Sequence, residues 1–144
     1  MKILQLLALL SALSLGNAHA EVVVIVHDGL DKLDAETIQK IYTGKIIEVK
    51  GIKITAVNLK PGQLRERFIQ KYLDESDAQY TAYWTVRRYI GKGTPPLELS
   101  TSEEVKRFVQ STPGAIGYVD ESEVTPDLHV ITWTSSHNIA GNRH

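Results

Sequence analysis

The chain has no cysteine in its 144 residues. That absence removes a disulfide scaffold, a thiolate metal site and a cysteine nucleophile together. It also lacks an excess of charge of either sign: Lys and Arg total 16, Asp and Glu total 17, for a formal net charge of −1. No Lys/Arg block interrupts the sequence, so neither the overall field nor a local tract recommends nucleic acid as a partner. After the first 20 residues no apolar run approaches the ~20 residues that a bilayer-spanning helix needs. There is no Gly-x-Ser-x-Gly elbow, no close His-x-x-x-His pair, no internal repeat and no low-complexity linker.

What is present begins with an export pattern over Met1 to Ala20. Lys2 supplies a positive start, Ile3 to Leu15 is a short apolar run, and Ala18-His19-Ala20 ends in the small-x-small pattern of a cleavage site. A buried N-terminal helix is the competing reading of the same residues. Cleavage predicts a chain starting near Glu21, not inserted in a membrane, working in a Gram-negative periplasm or outside the cell. Loss of Lys2 moves the net charge only one unit further negative. About 124 residues then remain, enough for one domain with a real core and too few for two. The expected organisation is a signal peptide over 1–20, an α/β domain over 21–134 and a polar tail over 135–144. Enzymes that need ATP, NAD or a reducing cytosol become poor candidates.

Strand and helix patterns alternate. Val22 to Val26 is a continuous β-branched run, the signature of a strand covered on both faces. Asp34 is placed to cap a helix carrying Ile38, Ile41 and Tyr42, and Gly44 stands where a left-handed C-terminal cap is wanted. Ile54 to Val57 is a second strand, followed by the turn Lys60-Pro61-Gly62 and a helix with Leu64, Phe68, Ile69 and Tyr72 on one face. A third helix is predicted over Asp77 to Ile90, broken by Gly91 to Pro96. Thr101-Ser102-Glu103-Glu104 is a capping box opening a helix with Val105, Phe108 and Val109 inward. Strands over Ala115 to Val119 and His129 to Trp133 complete an α/β layer pattern.

The unit with most chemical content is the strand, turn and helix from Ile54 to Phe68. A helix N-terminus leaves backbone N–H groups unpaired, with partial positive charge behind them. A Gly-containing turn lets an anion approach them closely. Gly62, Gln63 and Leu64 would offer those N–H groups, and Lys60, Arg65 and Arg67 would add full charges. The competing reading is an ordinary solvated helix start. Metal binding has less support, because His27, His129, His137 and His144 form no close pair. His27-Asp28 follows the first strand, where a turn histidine bonded to backbone is the simpler role. No catalytic nucleophile is visible: Ser135-Ser136-His137 stands in the tail, and the acidic pairs Asp74-Glu75 and Glu103-Glu104 read as caps and turns. No cofactor site is recognisable. Arg87-Arg88 and Lys92 would form a basic lip beside Trp84 and Tyr89, or else the aromatics are core and the arginines face water.

Three blocks carry a family resemblance over roughly Val22 to Ile131. Leu33 to Ile46 (Leu-Asp-Ala-Glu-Thr-Ile-Gln-Lys-Ile-Tyr-Thr-Gly-Lys-Ile) resembles a stretch of the phosphate-type periplasmic substrate-binding proteins of ABC transporters. Pro113 to Val119 is similar to their Gly-Ala-Ile-Gly-Tyr strand. Tyr83-Trp84, then Gly91-Lys92-Gly93 and Pro95-Pro96, resembles a short, single-lobe branch. The resemblance implies a type 2 periplasmic-binding-protein fold, as a single lobe with a mixed sheet flanked by helices, and a non-enzymatic binding role. It implies phosphate or another small oxyanion as ligand, and an ABC permease or periplasmic sensor as partner. It also implies that Asn58 to Arg65 lies where the family's Arg…Ser-Gly-Thr loop holds the anion. The site residues carried forward are therefore Asn58, Lys60, Gly62, Gln63, Leu64 and Arg65.

Two departures follow from the sequence itself. The Ser-Gly-Thr hydroxyls are missing from Asn58-Leu59-Lys60-Pro61-Gly62-Gln63-Leu64-Arg65. The chain also has room for about one of the two lobes that full-length members close on a ligand. A half-site leaves one side of the anion in water, where screening reduces each charge contact. That predicts binding near ~1 mM, about −4 kcal/mol. A homodimer would supply the missing wall. The alternative reading is a lobe that has lost its ligand and serves as an interaction or sensory module.

Overall fold

The computed structural model describes residues 21–131. The expected signal segment, the polar tail with Ser135, His137 and His144, and the end of the last expected strand at Thr132 and Trp133 lie outside the described residues.

A mixed sheet of order β5-β4-β6-β1-β7 forms the middle layer. Its strands are β1 (Val22–Val26), β4 (Thr55–Leu59), β5 (Leu97–Leu99), β6 (Ala115–Asp120) and β7 (His129–Val130). Strand β4 runs parallel to both β5 and β6, whereas β1 is antiparallel to β6 and β7. Strands β2 (Glu48–Val49) and β3 (Ile52–Lys53) form a separate hairpin, turned by Lys50 and Gly51 at φ 50° and 79°. Among the described residues the helices are α1 (Ala35–Tyr42), α2 (Gln63–Leu73), α3 (Asp77–Tyr89) and α4 (Ser102–Ser111), with a short 3-10 turn at Glu121–Glu123.

Alternation along β6 sorts the layers. Gly117 lies under α4 so closely that a Cβ there would sit 2.8 Å from Val105 Cγ1. Its neighbour Tyr118 points to the opposite face, where its ring stacks on Phe68 of α2 at 4.0 Å between centroids. Tyr42 of α1 leans on the same Phe68 at 4.6 Å and donates its hydroxyl to Val57 O at 2.7 Å. Such aromatic pairs contribute about 0.5–1.5 kcal/mol each beyond the area they bury. Ser76 and Gln79 form a capping box on α3, as Thr101 and Glu104 do on α4. Asp34 caps α1 by accepting from Thr37 N–H at 2.8 Å.

The short pieces also have local causes. Pro95 and Pro96 have no N–H to give a ladder, so β5 starts only at Leu97. Gly114 holds φ 79° at the entry to β6, where an added Cβ would come within 2.0 Å of Lys53 O.

Candidate functional site

Strand β4 leads directly into the turn and into α2. Lys60 N–H donates to Leu99 O at 2.9 Å, tying the start of the turn to the end of β5. Gly62 is the N-cap of α2, in extended conformation with φ 171° and ψ −179°, and no side chain caps the helix. Its carbonyl accepts from Glu66 N–H at 3.0 Å. Lys60, Gly62 and Gln63 are exposed and Leu64 is half-buried. The helix start therefore opens to solvent, with its first N–H groups uncapped and one lysine beside them.

Asn58 and Arg65, the other two residues expected there, face inward. Asn58 is 2 % exposed; its Oδ1 accepts from the Tyr118 hydroxyl, and its amide lies beside Tyr80. Leu59 N–H donates to the same Tyr118 oxygen at 3.1 Å. Arg65 is 3 % exposed and joins four elements. Its Nε donates to Asp77 Oδ1 at 2.6 Å, at the first residue of α3. Its Nη1 donates to Leu59 O of β4 at 3.0 Å and to Glu98 Oε1 of β5 at 2.8 Å. The guanidinium also lies over the Tyr80 ring, 5.7 Å from its centroid. Burial by itself weakens the hold of Arg65 on its proton, but hydrogen bonds to Glu98 and Asp77 outweigh that and raise its pKa. Burial likewise raises the pKa of Tyr80 and Tyr118, so both stay neutral donors. One cation thus faces two carboxylates.

The structure therefore divides the expected set. Lys60, Gly62, Gln63 and Leu64 stand together at the open helix start. Asn58 and Arg65 line a small cavity of about 120 Å³ on the inner side, with Tyr80, Trp84, Arg88 and Glu98. An open groove of about 960 Å³ passes Gln63 along the outside of α2, but Glu66, Arg67, Lys71 and Glu75 mix both signs along it. His27 Nδ1 lies 2.9 Å from Val109 O, a backbone-bonded turn histidine. Among the described residues no group of three His, Cys, Asp or Glu is arranged to hold a metal. Trp84 is core at 4 % exposure, whereas Tyr89 is 92 % exposed.

Sequence reasoning missed Asp77 and Glu98 as partners of Arg65. Asp77 looked like the start of a helix and nothing more. The alternating Leu97-Glu98-Leu99 was the available sign of a strand with one residue turned the other way.

No protein-family profile matches the chain, and no curated protein matches its sequence. Solved structures do match. An ABC-type phosphate transport receptor from Vibrio cholerae aligns with TM-score 0.53 and 16 % identity over 78 % of this chain and 45 % of that one. A putative phosphate ABC transporter substrate-binding protein from Clostridium perfringens, crystallised with bound phosphate, aligns with TM-score 0.60 and 23 % identity over 78 % and 44 %. The chain thus spans less than half the length of either protein. Among the described residues no helix is long and apolar enough to cross a membrane. The mixed sheet flanked by helices is the fold of one lobe of the phosphate-transport binding proteins that the chain resembles.

Proposed function

We propose that the protein is an exported phosphate- or oxyanion-binding lobe of the ABC-transporter substrate-binding kind, with its anion site at the start of α2. The observation that carries this reading is the fold shared with the phosphate-bound Clostridium perfringens protein. The uncapped N-terminus of α2 supports it chemically. Backbone N–H groups of Gly62, Gln63 and Leu64 bind the anion, and Lys60 adds a positive charge from the preceding turn, against the opposing Glu66 in the first turn of the helix. Asn58 and Arg65 act from behind, holding the turn in place. Periplasmic location after signal cleavage, and a permease, a sensor or a second copy as partner, belong to the same proposal.

Isothermal titration with phosphate, against sulfate at matched ionic strength, tests it. Saturable heat for phosphate is expected near ~1 mM, about −4 kcal/mol. Gln63→Pro should weaken it, because Pro removes one donor at the helix position that tolerates it best and leaves the fold intact. Lys60→Glu should weaken it further by reversing the charge. No heat for either anion at ten times that concentration would overturn the reading.

A second reading has its own observation. The Arg65 charge is already matched by Asp77 and Glu98, and no hydroxyl stands at positions 62 to 64. Both fit a lobe that takes no ligand and serves as an interaction or sensory module. The same titration separates the two.

A further inference from the structure

Helix α3 is apolar on the face it turns outward as well as on the face it buries. Tyr80 and Trp84 are its buried residues. Opposite them, Ala78, Ala82, Val86, Tyr89 and the C-cap Ile90 recur at three- and four-residue spacing, which sets them on one face, and all five are exposed. Val86 is 60 % exposed, Tyr89 92 % and Ile90 55 %. A surface helix ordinarily gives this face to charged side chains. Here its polar members are Gln79 and Thr85, and none is charged. The charges stand at the two ends instead: Glu75 precedes the helix, Arg88 lies in its last turn and Lys92 follows it. Asp77 is held by Arg65, and Arg87 is turned onto the Tyr83 and Trp84 rings. Among the described residues no ion pair holds Glu75, Arg88 or Lys92.

The stripe is graded, with alanines in its first half and large side chains in its second. Two copies crossing antiparallel about a two-fold axis lay the large half of each on the small half of the other, Val86 over Ala82 and Tyr89 over Ala78. Beside Ala78 the groove of about 960 Å³ along α2 opens at Glu75 and Ser76, a hollow facing the Tyr89 ring of the second copy. The same crossing brings Arg88 and Lys92 of each copy toward Glu75 of the other, so opposite charges meet twice. A parallel pair would set large against large and cation against cation. We infer that this face of α3 is a homodimer interface, two copies packed antiparallel through Ala78, Ala82, Val86, Tyr89 and Ile90. An aromatic side chain buries about 150–250 Å², so Tyr89 with the other four supplies roughly half of the ~800 Å² that each partner of a stable interface gives up. Gln79, Thr85 and the end charges form the polar rim. The inference assigns the surface that a second copy uses and does not rest on anion binding.

The test is sedimentation velocity of the protein from about 1 µM to 1 mM, with no phosphate or sulfate present, so that its failure is separate from failure of the anion reading. A mass twice that of one chain is expected, with a Kd near ~10 µM. Ala82→Arg places a charge at the centre of the stripe, in a good helix former at an exposed position, so circular dichroism should be unchanged. It should weaken the dimer about hundredfold or more. Glu75→Lys and Lys92→Glu should each weaken it about tenfold at low salt, because each reverses two symmetric contacts, and together they should restore the parent Kd. Salt narrows these differences. A single-chain mass up to ~1 mM, a Kd unchanged by Ala82→Arg, or a double variant no tighter than its parents would overturn the proposal. So would a chain that stays single and binds phosphatidylglycerol vesicles through Val86 and Tyr89, the face then meeting lipid.

Discussion

Replacing Arg65 by Ala asks whether this arginine serves the fold or the ligand. The substitution deletes the guanidinium of a residue that is only 3 % exposed. It leaves Asp77 and Glu98 facing one another near an unpaired Leu59 carbonyl. Breaking a wholly buried ion pair costs about 3–5 kcal/mol, and an exposed one about 0–1. The Asp77 side chain keeps 24 % exposure and that of Glu98 keeps 49 %, so water relieves part of the strain. A loss of about 3 kcal/mol is therefore expected. Equilibrium urea unfolding followed by tryptophan fluorescence reads it: with a slope of about 1.5 kcal/mol/M, the midpoint falls by about 2 M. Because Arg65 is buried, the difference should change little between low and high salt. Combining Arg65→Ala with Glu98→Gln should recover part of the loss, a coupling of about 1 kcal/mol or more. A cost below about 1 kcal/mol, or one that disappears in salt, would mean that Arg65 is not the tie between β4, β5, α2 and α3.

Two further outcomes follow from the same packing. Burial raises the pKa of Tyr42, Tyr80 and Tyr118 above the value of 10.0 expected of a free phenol. A folded pKa above the unfolded one gives stability that is complete below pH ~10 and lost as pH rises beyond it. Unfolding free energy measured from pH 8 to 12 should therefore turn downward near pH 10; ionisation of these phenols near 10 with the fold intact, seen at 295 nm, would contradict the burial. Gly114→Ala should be among the most damaging single changes, because it forces a Cβ into Lys53 O at 2.0 Å and holds Ala at φ 79°. A melting temperature within a few degrees of the parent would show that the β3–β6 approach is looser than this.

Much of the fold was legible because its signals are local. The Asp34 cap, the Thr101/Glu104 box and the Val22 to Val26 run each state their element within a few residues, and each stands where it was expected. The local pattern predicts the second strand over Ile54 to Val57, but it runs from Thr55 to Leu59, because β5 pairs with its far end. That pairing depends on Leu97 to Leu99, 40 residues on, which no window around β4 contains. The β2–β3 hairpin is invisible in sequence for the opposite reason: its strands are two residues each, too short to show a period. Trp84 and Tyr89 read alike in sequence as aromatics of one helix. They separate only because Trp84 faces Gly44, where an added Cβ would lie 2.6 Å from its ring, while Tyr89 ends the helix in solvent.

The candidate site divides on the same ground. Backbone donors at a helix start are readable from Lys60-Pro61-Gly62, because a turn and the following period define them. Whether an arginine just inside the helix is free depends on what the rest of the chain brings to it, and here Asp77 and Glu98 arrive from α3 and β5. A lobe of this size buries a smaller share of its surface than a large domain and has less core to hold its edges. Arg65 joins two strands and two helices in one network, which supplies such a hold and leaves little of its charge for a ligand. On the proposed reading, anion binding at the turn rests on N–H groups and Lys60. A contact of that kind is screened on its open side, and its affinity should rise only when a second protein surface excludes that water.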